Sequence, residues 1–200
     1  MAVCRRLYNP CGPKAKQKKE EFAFCGAARL TCGMKTKKAP KDVVSEPSTD
    51  LAALPAPVRA IRDKILAALD KNDVEALRIP IDWNEVRPLF AKSGTFKAGT
   101  NPIEILKALS FDKKGRETVA VARAVLAQPF VTITRGPVTL YEWPAFASRP
   151  TPPAIEDEAR ARWACVRFAD LARSNAEGKP RPARIAIASD GVWHYFWSED

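Results

Sequence analysis

The chain has 200 residues, of which 46% are hydrophobic and 28% are charged, and this balance excludes a wholly disordered protein. No run approaches the roughly 18 apolar residues that a membrane-spanning helix needs, so no membrane span is predicted. The net charge is +10, but residues 1–50 hold 11 Lys or Arg against 5 Asp or Glu, a net of +6. Residues 51–200 hold 22 against 18, a net of +4, and are therefore close to neutral.

Residues 1–50 are predicted to be a basic extension without regular structure. They interleave lysines with prolines and show no sustained helical or strand period. The cysteines of this segment form two pairs, each with six intervening residues: Cys4, Cys11, Cys25 and Cys32. Paired zinc ligands are usually separated by about two to four residues, so the spacing favours unpaired thiols, and neither a metal nor a cofactor is predicted. A basic extension can hold polyanions by counterion release, which suggests nucleic acid only weakly.

The first 20 residues also bear on localisation. They contain six Lys or Arg and no continuous apolar stretch, so a secretory signal peptide is not predicted. As the sequence stands, the protein is predicted to be cytoplasmic. An exported protein is the alternative if the true start of translation differs, and Met34 offers a later start.

Residues 51–200 are predicted to form a single domain that begins with helices. Pro57 fits the first turn of a helix. Apolar residues follow it at steps of three and four: Val58, Ile61, Ile65 and Leu69. The other predicted helices are a short one capped by Asn72 or Asp73, one from Asn101-Pro102 to about Ser110, and one over 116–128.

The pattern then changes from helical spacing to alternation. Residues 130–135 and 138–143 are rich in Val, Ile, Thr and aromatic residues around Gly136-Pro137, which predicts a β-hairpin. A long helix is predicted over 154–174, because acidic residues occupy its first turn and arginines lie near its end.

A second hairpin is predicted over 183–188 and 192–197. The dipeptide Asp190-Gly191 between two apolar runs is a strong signal for a tight hairpin turn. The chain therefore belongs to the α+β class, with N-terminal helices followed by two β-hairpins that flank a long helix. We expect a small antiparallel sheet packed on the helices.

A two-residue turn at Asp190-Gly191 would make Ser189 face Val192 and would set the register of the whole hairpin. Directly opposed residues share a face of the sheet. One predicted face has the composition of a core: Ile185, Ile187, Val192, His194 and Phe196. The other face combines three large aromatics with two alanines and an arginine: Arg184, Ala186, Ala188, Trp193, Tyr195 and Trp197.

The aromatic face of this hairpin is the best candidate binding surface. Small residues beside aromatic ones leave ring faces open, either for a further layer of protein, which is the commoner use, or for a flat ligand, a sugar or the side chain of a partner. The candidate residues extend to the preceding hairpin: Tyr141, Trp143, Arg184, Trp193, Tyr195 and Trp197. We therefore predict a non-enzymatic binding or accessory domain whose partner is a small molecule or a protein.

An enzyme is the alternative interpretation. A small hydrolase-like enzyme would use Glu142, Asp190 and His194. The single histidine lies on the predicted apolar face, however, and Glu142 is more simply explained as a solvent-facing strand residue. The chain contains no Gly-x-Ser-x-Gly elbow and no glycine-rich phosphate loop. The lack of a convergent catalytic set favours binding over catalysis.

Three segments resemble a group of small uncharacterised bacterial proteins: residues 67–77, the run 141–147 and the hairpin 187–196. The group shares a Tyr-x-Trp-Pro-x-Phe-Ala run and a closing Asp-Gly-x-Trp-His-Phe-Phe hairpin. This chain matches them with Tyr-Glu-Trp-Pro-Ala-Phe-Ala and Asp-Gly-Val-Trp-His-Tyr-Phe. The resemblance covers about residues 51–200 and excludes the basic extension. It implies a bacterial protein, often one with an apolar leader, and it implies no activity.

Overall fold

The structure, a computed structural model, describes residues 42–198. The predictions for the first 41 residues, which concern polyanion binding and the thiols of Cys4, Cys11, Cys25 and Cys32, lie outside the described residues. Among the residues that are described, no helix is long and apolar enough to cross a membrane.

The first half of the described chain is helical, as predicted. Its helices are α1 (Ala56–Leu69), α2 (Arg78–Asp82), α3 (Pro102–Leu109) and α4 (Arg116–Leu126), with 3-10 turns at Leu51–Ala53 and Val74–Leu77. Pro57 lies in the first turn of α1. The side chain of Asn101 caps α3 by accepting a hydrogen bond from Ile103 N at 2.9 Å. Asp73 caps the second 3-10 turn in the same way through Glu75 N, at 3.0 Å.

The strands form one antiparallel sheet in the order in which they occur along the chain. They are β1 (Val43–Val44), β2 (Val131–Arg135), β3 (Val138–Trp143), β4 (Ala183–Ala188) and β5 (Trp193–Ser198). The helices α5 (Ala145–Ser148), α6 (Glu156–Trp163) and α7 (Phe168–Glu177) lie between β3 and β4 in sequence. β2–β3 and β4–β5 are the two predicted hairpins. The predicted α+β class, with a small antiparallel sheet packed on helices, is confirmed.

The edge strand β1 lies in the segment that the sequence assigns to the unstructured extension. Val43 pairs with Thr134 and Val44 pairs with Ile133. Further along, Ser48 and Phe130 exchange backbone hydrogen bonds of 2.8 and 2.9 Å. Regular structure therefore begins before Leu51. The sequence does not reveal β1, because a two-residue strand is too short to produce the alternation by which strands are recognised.

The long helix predicted over 154–174 is in fact two helices, α6 and α7. Between them Cys165, Val166 and Arg167 are all buried. Three consecutive buried residues do not fit one face of a surface helix, so the chain leaves the helical path there. The freed carbonyl of Cys165 accepts a hydrogen bond from Ala183 N at 2.9 Å, which ties this break to the start of β4.

We expect Cys165 to stay unmodified by iodoacetamide at pH 8 in the folded protein. Burial raises the pKa of its thiol to about 12. Only about one thiol in ten thousand is then ionised at pH 8, and the thiolate is the reactive form. Peptide mass mapping after alkylation distinguishes Cys165 from the other cysteines. Labelling in urea is the positive control, and fast labelling without urea would contradict the burial of this side chain.

The helices cover one face of the sheet, where α1 and α4 both contact β4. We call this the helix face, and its side chains on the last three strands form the centre of the core: Trp143, Ile185, Ile187, Trp193 and Phe196. The opposite side is called the distal face. It holds these residues of the same strands: Leu140, Glu142, Arg184, Ala186, Ala188, Tyr195 and Trp197.

Candidate functional site

The turn of the last hairpin is longer than predicted. Ala188 N donates to Val192 O and Gly191 N donates to Ala188 O, both at 2.8 Å, so three residues rather than two form the loop. Gly191 has a φ of +91°, and a Cβ atom there would lie 2.9 Å from Cβ of Pro57. The predicted pairing of Ser189 with Val192 is therefore wrong, because the glycine occupies the left-handed third position of the loop against α1.

A β-bulge then restores the predicted register. Ile187 faces Trp193, and His194 is the extra residue, so Ala186 faces Tyr195 again. The outer pairs of the hairpin, Ile185 with Phe196 and Arg184 with Trp197, are confirmed. The shift in register changes the faces of Trp193 and His194 relative to the prediction. Trp193 lies on the helix face and is 1% exposed, whereas His194 is exposed rather than on the apolar face.

The candidate binding residues separate onto the two faces of the sheet. Tyr141, Trp143 and Trp193 lie on the helix face, where both tryptophans are buried and the tyrosine packs against the core. Arg184 and Tyr195 lie on the distal face. Trp197 lies beside them there, so the structure brings three of the six residues together.

Glu142 occupies the centre of the distal face, and only 1% of it is exposed. Its carboxylate accepts short hydrogen bonds from the hydroxyl of Tyr195 and from Oγ of Ser148. The interpretation of Glu142 as a solvent-facing residue is wrong, because α5 turns back over the sheet directly after β3 and places Ser148 above the carboxylate. The amide of Ala145 anchors this turn by donating to Pro129 O at 2.7 Å.

Arg184 supports the same network from β4. Its guanidinium donates to Ser148 Oγ and to Ala147 O, both at 3.1 Å, and it lies 3.7 Å from the Glu142 carboxylate. A buried carboxylate needs such partners, since an ionised group without them is costly to remove from water.

These groups line a cavity of about 280 Å³, which we call the distal cavity. Its polar wall is completed by Arg135, whose Nε donates to Asp42 Oδ1 at 2.8 Å. This hydrogen bond lowers the pKa of the Asp42 carboxyl, which is therefore ionised at neutral pH. The apolar wall consists of Val44, Ile133 and Leu140. The rings of Tyr195 and Trp197 form its aromatic side, with centroids 5.7 Å apart and planes inclined by 37°.

The three residues considered for a hydrolase are not gathered in this cavity. Asp190 is exposed in the hairpin loop, where its carboxylate accepts a hydrogen bond from Val192 N at 3.0 Å. His194 is exposed on the bulge, and neither residue lines the cavity around Glu142. Within residues 42–198, no three His, Cys, Asp or Glu side chains are grouped so that they could hold a metal ion.

The sequence analysis missed the residues that complete the site from outside the last hairpin. Ser148 follows Glu142 by six residues but lies in α5, after the end of β3, so no single strand or helix period relates the two residues, and the position of Ser148 depends on the sharp return of α5. Asp42 and Arg135 meet only because β1 pairs with β2, a contact between residues 93 positions apart.

Comparisons with protein-family models, with curated proteins and with solved structures find no match to this chain. The resemblance to small bacterial proteins therefore stays a prediction, and function has to be inferred from the geometry of the site.

Proposed function

We propose that this chain is a non-enzymatic binding domain that holds a small, uncharged polar ligand of the sugar class in the distal cavity. The observation that carries the proposal is a buried carboxylate, Glu142, which accepts hydrogen bonds from two hydroxyl groups and lies 3.7 Å from the Arg184 guanidinium, beside the tilted rings of Tyr195 and Trp197. Ligand sites combine apolar and aromatic walls with a few convergent polar groups, and this cavity has both.

The charges of the cavity favour an uncharged ligand. It is lined by two carboxylates, Asp42 and Glu142, and by two guanidinium groups, Arg135 and Arg184. Arg135 is paired with Asp42, and Arg184 lies near Glu142. A charged ligand would meet like and opposite charges in equal number. A ligand with several hydroxyl groups can instead donate to the carboxylates and accept from the arginines and the hydroxyls.

The volume of the cavity limits the size of the ligand, and its aromatic side limits the chemical class. A volume of about 280 Å³ lies just below the range for small-molecule sites, which is roughly 300–1,000 Å³. The ligand should therefore be about one or two sugar rings in size. One face of such a ring presents only C–H groups, which pack on an aromatic ring without leaving a polar group unpaired.

The hydrogen bonds that the two carboxylates already accept favour binding over catalytic turnover. Both oxygens of Glu142 already accept hydrogen bonds, and Asp42 is held by Arg135. Glycoside hydrolysis needs one carboxylic acid to protonate the leaving group and a second carboxylate to act as base or nucleophile. Neither carboxylate of the distal cavity is placed to do this without first breaking its pair.

We expect a panel of mono- and disaccharides to include a ligand that shifts the indole N–H signal of Trp197 saturably in ¹⁵N–¹H NMR spectra. Trp197→Ala lacks this signal and is therefore compared with the unaltered protein by isothermal titration calorimetry; it should weaken that binding by at least about tenfold, which corresponds to about 1.4 kcal/mol. The reason is that this substitution removes one of the two aromatic rings while leaving the polar network in place.

Trp83→Ala is the matched control, because Trp83 is 68% exposed and lies outside the distal cavity. It should leave the affinity unchanged. If Trp197→Ala is too unstable for titration, Glu142→Gln provides the second variant, since it keeps the shape of the side chain and removes one acceptor. A panel without any saturable shift, or equal losses in Trp83→Ala and Trp197→Ala, would exclude the proposed site. Cleavage of a bound disaccharide would make the protein an enzyme.

A further inference from the structure

A groove lies between the segment 150–153, which follows α5, and the loop 178–182, which follows α7. It consists of two neighbouring cavities of about 300 and 360 Å³, which share five lining residues: Pro150, Thr151, Arg162, Lys179 and Pro180. We call it the proline groove, after the prolines that line it: Pro150, Pro152, Pro153, Pro180 and Pro182. A proline ring fixes φ and replaces the N–H group, so the walls are stiff and present apolar rings. A ligand therefore meets a groove that is already formed, which lowers the cost of binding.

One end of the proline groove is cationic. Four basic side chains line the cavity of about 300 Å³ at this end: Arg162, Lys179, Arg181 and Arg184. Among the described residues, no Asp or Glu lines this cavity. Arg184 also lines the distal cavity, so neither the ligand contacts nor the variants below depend on it. The lining of this end favours a negatively charged group.

The carboxylate nearest to this end is shared by several cations. Glu177 lies 2.6 Å from Arg181, and it also lies 3.4 Å from Arg173 and 3.8 Å from Lys179. The hydrogen bond from Arg181 lowers the pKa of the Glu177 carboxyl, which is therefore ionised at neutral pH. One negative charge among three positive ones leaves a net charge of +2 on these four residues. A ligand with two negative charges would balance it.

Lys179 and Arg181 are the cations that such a ligand can reach. The side chain of Lys179 is 71% exposed, and that of Arg181 is 26% exposed. The guanidinium of Arg181 is already held in position, because its Nε donates to both carboxylate oxygens of Glu177 at 2.9 Å. Arg162 lies deeper and supports the wall of the groove, since it donates to the carbonyl oxygen of Thr151.

The other end of the proline groove is apolar. The cavity of about 360 Å³ at this end is lined by Pro152 and Pro153 on one wall and by Ala159 and Trp163 of α6. Trp163 is the last residue of α6 and is half-buried. A flat apolar group can pack on the tryptophan and proline rings. A ligand that occupies both ends therefore needs a flat apolar part beside its anionic group.

We propose that the proline groove binds a small aromatic phosphate monoester, with its phosphate at Lys179 and Arg181 and its ring at Trp163. A phosphate monoester has a charge of about −1.5 to −2 at pH 7, which matches the excess positive charge around Glu177. A carboxylate brings only one charge, and inorganic phosphate has no apolar part. The inference does not depend on the sugar binding proposed for the distal cavity.

The test uses phenyl phosphate as the probe, at constant ionic strength, and follows the indole N–H signal of Trp163 in ¹⁵N–¹H NMR spectra. We expect a saturable shift of this signal. The signal of Trp83, which is exposed and lies outside the groove, is the internal control and should not move. Isothermal titration calorimetry should show at least about tenfold weaker binding of benzoate and of inorganic phosphate.

Each probe has an outcome that contradicts the proposal. No saturable shift of the Trp163 signal with phenyl phosphate would overturn the site. Inorganic phosphate that binds as tightly as phenyl phosphate would exclude the role of the apolar end. Benzoate that binds as tightly would exclude the assignment to a doubly charged group.

Lys179→Gln should weaken the binding of phenyl phosphate at least about fivefold, because it removes one of the two cations that the ligand can reach. Lys71→Gln is the matched control, since Lys71 is exposed after α1, lines neither cavity of the groove and loses the same charge. It should bind as the unaltered protein does. Equal losses in the two variants would mean that the net charge of the protein attracts the probe, and the assignment to the groove would be wrong.

Discussion

Trp193→Ala is expected to lower the free energy of unfolding by about 3–5 kcal/mol, the usual range for replacing a buried large aromatic residue with alanine. Trp193 is 1% exposed and packs edge-on against Phe90, with ring centroids 5.6 Å apart. Its indole N–H donates to Tyr195 O at 2.9 Å. Its backbone is held by Asn84, whose side chain exchanges hydrogen bonds of 2.6 and 2.9 Å with it. Urea unfolding followed by circular dichroism measures the loss.

Trp197→Ala provides the comparison on the same strand. Trp197 is only partly buried and lies on the distal face, so its replacement leaves a smaller cavity and should cost clearly less stability. The two substitutions therefore separate the two faces of β5: one should affect mainly stability and the other mainly ligand binding. Equal stability losses would mean that the bulge at His194 does not place Trp193 in the core.

This hairpin shows how far the sequence determines the site. Alternation and the Asp190-Gly191 dipeptide correctly predicted the outer pairs, which include Arg184 with Trp197. The same dipeptide is compatible with a two-residue turn and with a three-residue loop that ends in a left-handed glycine. The contact of Gly191 with Pro57 involves residues far apart in sequence, and no local pattern reveals it. The longer loop and the bulge each shift the register by one residue, and their effects cancel beyond Tyr195.

The environment of Glu142 could not be predicted from the alternation within its own strand. Alternation correctly places Glu142 on the opposite face of the sheet from its strand neighbours Tyr141 and Trp143. It does not show which part of the chain covers each face. The cover here is the four-residue helix α5, too short to have a periodicity. The helix break before α7 was missed because the acidic first turn and the late arginines mark the two ends of a helical region and do not show whether it is interrupted between them.

Gly115→Ala is expected to lower the free energy of unfolding by about 2–5 kcal/mol. Gly115 is buried before α4 with a φ of +85°, a conformation that costs an L-residue roughly 1–2 kcal/mol. A Cβ atom there would also lie 2.6 Å from Cβ and Cγ1 of Val74, and relieving such a clash typically costs about 1–3 kcal/mol more. Urea unfolding measures the total.

Gly99→Ala separates the conformational cost from the cost of the clash. Gly99 has a φ of +83°, close to that of Gly115, in the loop before α3, and a Cβ atom there would have no other atom within 4 Å. This control should therefore show only the conformational cost of roughly 1–2 kcal/mol. The additional loss in Gly115→Ala measures how closely the start of α4 approaches the 3-10 turn at Val74, and hence how tightly the helices pack above the core. If the two alanine variants lose the same stability, this close approach does not exist in solution.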